Sequence, residues 1–300
     1  MTDRPAECAA PATLCVSRPR AVSRPRVTRR RRAARLPRVT RLPALCALAL
    51  LALGGPAGLC AAERYEGIAY ARGTDRIAYR ETHWLFDREG VRERLVLYRC
   101  ADRTPFARKW VREVPSALAP DFDFEDARDG YREGVKSDHG ARVVFMRENA
   151  RAALETRPLP ERADAVLDAG FDAFVRLHWQ EPGAGRAPRL EFLIPRRFEY
   201  LEFALSGVHD TVVDGAPRRQ FKMRLAAWYG VAVPGIDLTY DLARRLVEYD
   251  GVGNVRDAAG RNQAVRIVFP ADAVRSEVPP EEIDQAAAEP LASQCKPGRD

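Results

Sequence analysis

From position 63 to about 160, apolar and polar residues alternate with a period of two, the pattern of strands with one face buried. The runs RYEGIAYA (64–71), RIAYRETHWLF (76–86), RERLVLYRC (92–100) and PFARKWVREV (105–114) are separated by Gly, Asp and Glu clusters. GYREGVKS (130–137) and ARVVFMRE (141–148) flank Asp138-His139-Gly140, a hairpin signal. These segments predict an antiparallel meander. The period then changes. Between Asp164 and Gln180, Leu167, Phe171, Phe174 and Val175 fall on one helical face, and Pro182-Gly183 ends the run. Strand patterns resume at 189–195, 198–208, 211–226 (turning at Asp214-Gly215), 236–241, 245–252 and 262–270. Beyond Pro270 the chain is acidic and rich in Ala and Pro, which predicts a disordered tail.

The expected fold is α+β and mostly β, with a large curved antiparallel sheet, or incomplete barrel, packed against one principal helix. The expected organisation is a disordered Arg-rich leader (1–42), a signal-peptide core and cleavage region (43–62), one β-rich domain (63–270) and the tail (271–300).

Charge changes the picture of the front of the chain. The 300 residues hold 49 Lys+Arg and 42 Asp+Glu, a formal charge of +7. Residues 1–42 alone carry 12 Arg against Asp3 and Glu7, and 43–62 carry no charge. The remainder has 37 basic and 40 acidic residues. The folded body is therefore slightly anionic, which argues against a nucleic-acid-binding surface. The densest apolar stretch, Ala44 to Leu53, is too short to span a membrane and is broken by Gly54-Gly55-Pro56. With Arg35, Arg38 and Arg41 before it and Cys60-Ala61-Ala62 after it, it reads as a signal peptide cleaved near Ala62. The product would be periplasmic or secreted, with no transmembrane helix in the mature chain. Lipidation at Cys60 is the less favoured reading, because Leu59 stands where a small residue is expected. The run Thr28–Arg32 lacks the residues that should follow a twin-Arg signal. The long leader also admits a translation start near Val39.

Two cysteines, Cys100 and Cys295, remain after cleavage. In an oxidising compartment they permit one disulfide that would pin the tail; two unrelated thiols are the alternative. Neither has CxxC or zinc-ligand spacing.

Candidate chemistry is sparse. DFDFED (121–126) lacks the Gly and Glu of a calcium loop and reads as a strand with Phe122 and Phe124 inward. His83, His139, His178 and His209 show no metal-ligand spacing, no Ser sits in a nucleophile elbow, and no glycine fingerprint for a phosphate or dinucleotide is present. No catalytic residue, metal or cofactor is expected. The segment 251–262 is a shaped turn in which Asn254, Arg256 and Asp257 could form a polar knot, either contacting a ligand or acting as a turn scaffold.

The phrases YEGIAYARG, RETHWLFD, LVLYRCADRTPFARK, APDFDFEDARDGYREGV, DAGFDAFVRLHW and GVGNVRDAAGRNQAVRIVFP resemble uncharacterised exported proteins of proteobacteria, over roughly 63–270. That family supplies no catalytic residues. In architecture, a curved antiparallel sheet over helical elements is similar to the periplasmic lipoprotein carriers LolA and LolB. The similarity implies a concave apolar face for a lipid or other hydrophobic molecule. Trp84, Trp110, Phe192, Phe203 and Trp228 are the candidate lining residues, chosen by type and alternation. The expected function is non-catalytic binding of an apolar ligand in the cell envelope. The alternatives are a motif-free periplasmic enzyme and a structural or assembly factor whose partner is an envelope protein.

Overall fold

Eight strands follow one another as an up-and-down meander: β1 (Ala62–Ala71), β2 (Ile77–Arg88), β3 (Val91–Arg99), β4 (Pro105–Arg112), β5 (Asp121–Asp126), β6 (Tyr131–Asp138), β7 (Ala141–Arg147) and β8 (Glu155–Pro158). The computed structural model describes residues 62–213, 215–226 and 235–296. The leader, Cys60 and Trp228 lie outside that range, so the expectations placed on them are not addressed by it. β9 (Ala165–Val166) and α1 (Gly170–Leu177) lead into a second meander. Its strands are β10 (Arg189–Ile194), β11 (Glu199–Val213), β12 (Ala216–Leu225), β13 (Ile236–Asp241), β14 (Leu246–Arg256) and β15 (Asn262–Val268). β15 returns to pair with β1, which joins the two meanders into one sheet ordered β8-β7-β6-β5-β4-β3-β2-β1-β15-β14-β13-β12-β11-β10-β9. Among the described residues only the short β9–β10 pairing is parallel. The edges are the two-residue β9 and the four-residue β8, so the curved sheet does not close into a barrel. Such short edges offer little backbone for pairing with another chain.

Alternation sets the two faces. Across β2–β3–β4, Trp84, Leu95 and Trp110 lie opposite one another on one face. One residue away, His83, Val96 and Lys109 lie opposite one another on the other. The hairpin between β6 and β7 turns at His139 (φ 47°) and Gly140 (φ 84°), the positive-φ pair a two-residue connection demands.

The helix is shorter than its apolar period predicts. Val166 pairs in β9, the Leu167 N–H donates to the Leu118 carbonyl at 3.0 Å, and Asp168 is left-handed (φ 42°), so helical geometry begins only at Gly170. A Cβ at Gly170 would lie 2.0 Å from the Leu118 carbonyl oxygen. α1 buries Phe174 and Val175 against Leu190, Leu205, Phe221, Leu238 and Tyr240 on the inner face of the second meander.

The tail differs from the disorder its composition suggests. β16 (Arg275–Val278) pairs with the start of β1, and α2 (Pro280–Ala288) follows. Pro280 at the first turn with Glu281 and Glu282 behind it suits a helix N-terminus. Ile283 and Ala286 pack on Trp84, Leu95 and Leu97, and the Trp84 indole N–H donates to Glu282 Oε1 at 3.0 Å. Arg99 clamps the Glu289 carboxylate with two bonds of 2.9 and 2.6 Å. Cys295 is disulfide-bonded to Cys100. Two apolar anchors and a covalent tie suffice here, which is why composition is a poor guide.

Candidate functional site

The inner face of the sheet lines an open cavity of about 1130 Å³. Its lining changes character from one meander to the other. Strands β10–β14 and α1 contribute Phe171, Phe192, Phe203, Met223, Ile236 and Tyr249. Phe192 and Phe203 are half-buried and meet edge to face, with ring centroids 6.1 Å apart. These side chains form an apolar patch, beside which the same half also carries Asp172, Arg176, Arg196, Arg197, Arg244 and Arg245.

Strands β2–β6 contribute buried ionisable groups. Glu81, His83, Lys109 and Glu133 line the cavity and are buried, as is Asp168 at the left-handed turn before α1. Buried charges are held by partners, and each of these has one. The Lys109 ammonium lies 3.0 Å from both oxygens of Asp168, and the Asn254 amide donates to the same carboxylate at 2.9 Å. His83 Nε2 and Glu81 Oε2 are 2.9 Å apart. The His83 ring stacks on Tyr65 at 4.5 Å and meets the edge of Phe269. Burial holds the imidazole below its ordinary pKa, with the Glu81 bond opposing the shift. At the base of α1, Asp172 accepts from the Tyr240 hydroxyl at 3.1 Å and pairs with Arg176 at 2.7 Å.

Glu133 accepts the Tyr131 hydroxyl at 2.6 Å. Burial raises its pKa from 4.5 to about 7, while the Tyr131 bond and Lys109 pull the other way. The folded chain thus holds this proton more tightly than the unfolded chain. Its contribution to stability falls as pH rises from about 4.5 to about 7, and the cost is complete above that range. Glu133→Gln removes this dependence. The stability difference between pH 5 and pH 8 should shrink by about 2 kcal/mol. Urea unfolding of both proteins at the two pH values measures it; an unchanged difference would show that Glu133 titrates normally.

The residues singled out from sequence do not all meet. Phe192 and Phe203 line the cavity. Trp84 and Trp110 do not: they lie on the outer face, beneath α2. The strand period puts them there, since each is one residue out of step with the cavity-facing His83 and Lys109. Asn254, Arg256 and Asp257 form no single knot. Asn254 reaches into the cavity to Asp168. Arg256 leaves it, bonding Asp129 and Glu148. Asp257 caps its own turn by accepting the N–H groups of Ala259 and Arg261. The strand assignment of DFDFED holds, with Phe122 and Phe124 buried.

Among the described lining residues there is no Ser, Thr or Cys, while Tyr65, Tyr79, Tyr98, Tyr131 and Tyr249 bring phenol hydroxyls to the wall. Of the groups suited to acid–base work, His83 and Glu81 stand side by side on β2, and Glu133 stands on β6 with three strands between. Among the described residues no group of three or more His, Cys, Asp or Glu could hold a metal, and no helix is long and apolar enough to cross a membrane.

No protein-family model and no curated protein sequence matches the chain. Among solved structures it has a distant likeness to one described as the crystal structure of MucB in complex with MucA(peri). The identity is 12%, covering 73% of this chain and 94% of that one, with a TM-score of 0.13. Backbones that superpose so poorly carry no inference about this protein.

Proposed function

We propose that this is an exported envelope protein that binds an apolar or amphipathic molecule in the cavity of its curved sheet, without catalysis. The observation that carries this reading is the cavity itself: about 1130 Å³ of space beside a wall built from Phe171, Phe192, Phe203, Met223 and Ile236. Wall side chains of this kind are normally covered, because leaving them against water costs about 25 cal/mol per Å². A bound alkyl chain would cover them. The signal-peptide pattern of residues 43–62 and the Cys100–Cys295 bond support an oxidising compartment outside the cytosol.

The test uses N-phenyl-1-naphthylamine, a neutral apolar fluorophore, titrated with the protein. Saturable enhancement is expected, and Phe203→Asp should weaken it at least tenfold by placing a carboxylate in the wall. Trp110→Phe, on the outer face, should leave it unchanged. Absence of saturable binding to the parent protein would overturn the reading.

A further inference from the structure

We infer that the ligand carries an anionic end group and that Arg94 is its anchor, an inference that rests on the proposed binding of an amphipathic molecule. The first observation is charge. Eight Lys or Arg side chains and six carboxylates line the cavity, on a body whose residues 63–300 hold more acids than bases. Positive charge is thus gathered where a ligand would sit.

The second observation is how those charges are spent. Of the six wall carboxylates, Asp168 is taken by Lys109 and Asn254, Asp172 by Arg176 and Tyr240, Glu81 by His83, Glu133 by Tyr131, and Asp241 by the Arg245 backbone N–H, which leaves Glu63 without a side-chain bond to any described residue. Three of the wall arginines are also paired, Arg92 with Asp87, Arg196 with Glu148 and Arg197 with Glu199. Arg94 is different. It is half-buried on β3, lines the cavity, and makes no hydrogen bond or ion pair with any described residue. Its cross-strand neighbours are Leu85 and Val111, and the carboxylates of Asp172, Asp168 and Glu113 act on it through space with no direct bond to its side chain. A guanidinium presents five donors in a rigid fork matched to a carboxylate or phosphate. Half-buried and unpaired, it has most to gain from one.

The third observation is polarity along the cavity. Glu63 of β1 pairs with Leu85, which pairs with Arg94. The same end of the sheet holds the end of β15 and the start of β14, and therefore the turn at 242–245 with exposed Arg244 and Arg245. Met223 pairs with Ile236 at the far end of β13, and Phe203 lies beyond it along β11. At one end Arg94, Arg244 and Arg245 outnumber the single unpaired acid, Glu63, and the apolar residues stand at the other, so the head group would meet Arg94 and the alkyl chain would run toward Phe203.

The experiment displaces N-phenyl-1-naphthylamine from the full folded chain with four competitors below their micellar concentrations. These are dodecyl phosphate, dodecanoate, dodecanol and dodecyltrimethylammonium; inorganic phosphate serves as a fifth. Dodecyl phosphate and dodecanoate should compete at concentrations at least tenfold lower than dodecanol, and the cation should be weakest. Arg94→Gln should abolish that tenfold advantage and leave dodecanol unchanged. Arg92→Gln, which removes an arginine already paired, should keep it. Thermal melts establish that both variants fold; should Arg94→Gln not fold, Arg94→Lys is read instead and should lose most of the advantage. Equal competition by dodecanol and the two anions overturns the anionic assignment while leaving apolar binding intact. A persistent anion advantage in Arg94→Gln overturns Arg94 as the anchor. Displacement by inorganic phosphate as strong as by dodecyl phosphate overturns an amphipathic ligand. Failure of the fluorophore to bind at all is the separate failure of the proposed function.

Discussion

Arg256→Ala should cost about 3–5 kcal/mol of folding stability, read as a fall in the urea midpoint at constant slope. The guanidinium is only 4% exposed. One terminal nitrogen lies 2.6 Å from Asp129 Oδ2 and 3.0 Å from the Glu148 carbonyl, and the other lies 2.9 Å from Glu148 Oε1. The plane covers Tyr131, with its central carbon 4.1 Å from the ring centroid. The side chain therefore joins β14 of one meander to the β5–β6 turn and the end of β7 in the other, across the interior. Alanine removes the fork, the cation–π contact and the packing, and leaves two carboxylates without their common partner. Those carboxylates are each about one-third exposed and can rehydrate, which favours the lower end of the range. Arg256→Lys should recover only part of the loss, since one ammonium cannot serve both acids and the ring at once. A change below about 0.5 kcal/mol for alanine would mean that the meanders are held together without this bridge.

Much of the first meander was legible because its strands follow one another with short turns. Alternation alone located β2, β3, β4 and β7 to within two residues, and the Asp138-His139-Gly140 turn fell where two positive φ angles were needed. The helix was legible in kind and not in length. The apolar spacing of Leu167, Phe171 and Phe174 spans 164–180 just as a helix would, yet a backbone bond to Leu118 and a short pairing with β10 capture its first residues. Both are long-range interactions that no local period contains. Ile283 and Ala286 were hidden for a similar reason: two apolar residues in an acidic segment matter only once Trp84 and Leu97 are beside them.

The site was harder to read, and parity explains why. In a sheet with one buried face, polar alternates are taken to point at solvent. Here Glu81, His83, Lys109 and Glu133 occupy such alternates, and curvature turns them toward a cavity. The indoles of Trp84 and Trp110 occupy the intervening positions and go outward. Choosing cavity residues by aromatic type therefore selected the wrong face in the first meander and the right one in the second, where Phe192 and Phe203 have no buried charge beside them on their strands. One signal was available: Glu81 and His83 two apart on one strand share a face, and a carboxylate beside an imidazole is an uncommon pair to leave in open solvent.

Breaking the Cys100–Cys295 bond should destabilise the protein by about 3–5 kcal/mol, the other large effect. The closed loop spans 195 residues, and the chain-entropy relation gives a constraint on the unfolded state of about 5 kcal/mol for a loop of that size. The native state offers partial compensation. The bidentate Arg99–Glu289 pair, the backbone bond from Ala292 to Pro105 and the packing of Ile283 against Trp84 would all persist without the bond. These local contacts hold the tail but place no restriction on the unfolded chain, so they cannot replace the bond's main contribution. For a domain of this size each kcal/mol moves the melting temperature by about 2–4 °C, so Cys100→Ser/Cys295→Ser should melt about 10 °C lower. Replacing both cysteines avoids leaving a buried free thiol at Cys100, which is 1% exposed. Hydrogen exchange separates the two contributions: faster exchange in α2 with no change in the melting temperature would mean that the bond only tethers the tail. A lower melting temperature with slow exchange retained in β2–β4 up to the transition would show it acting on the whole fold.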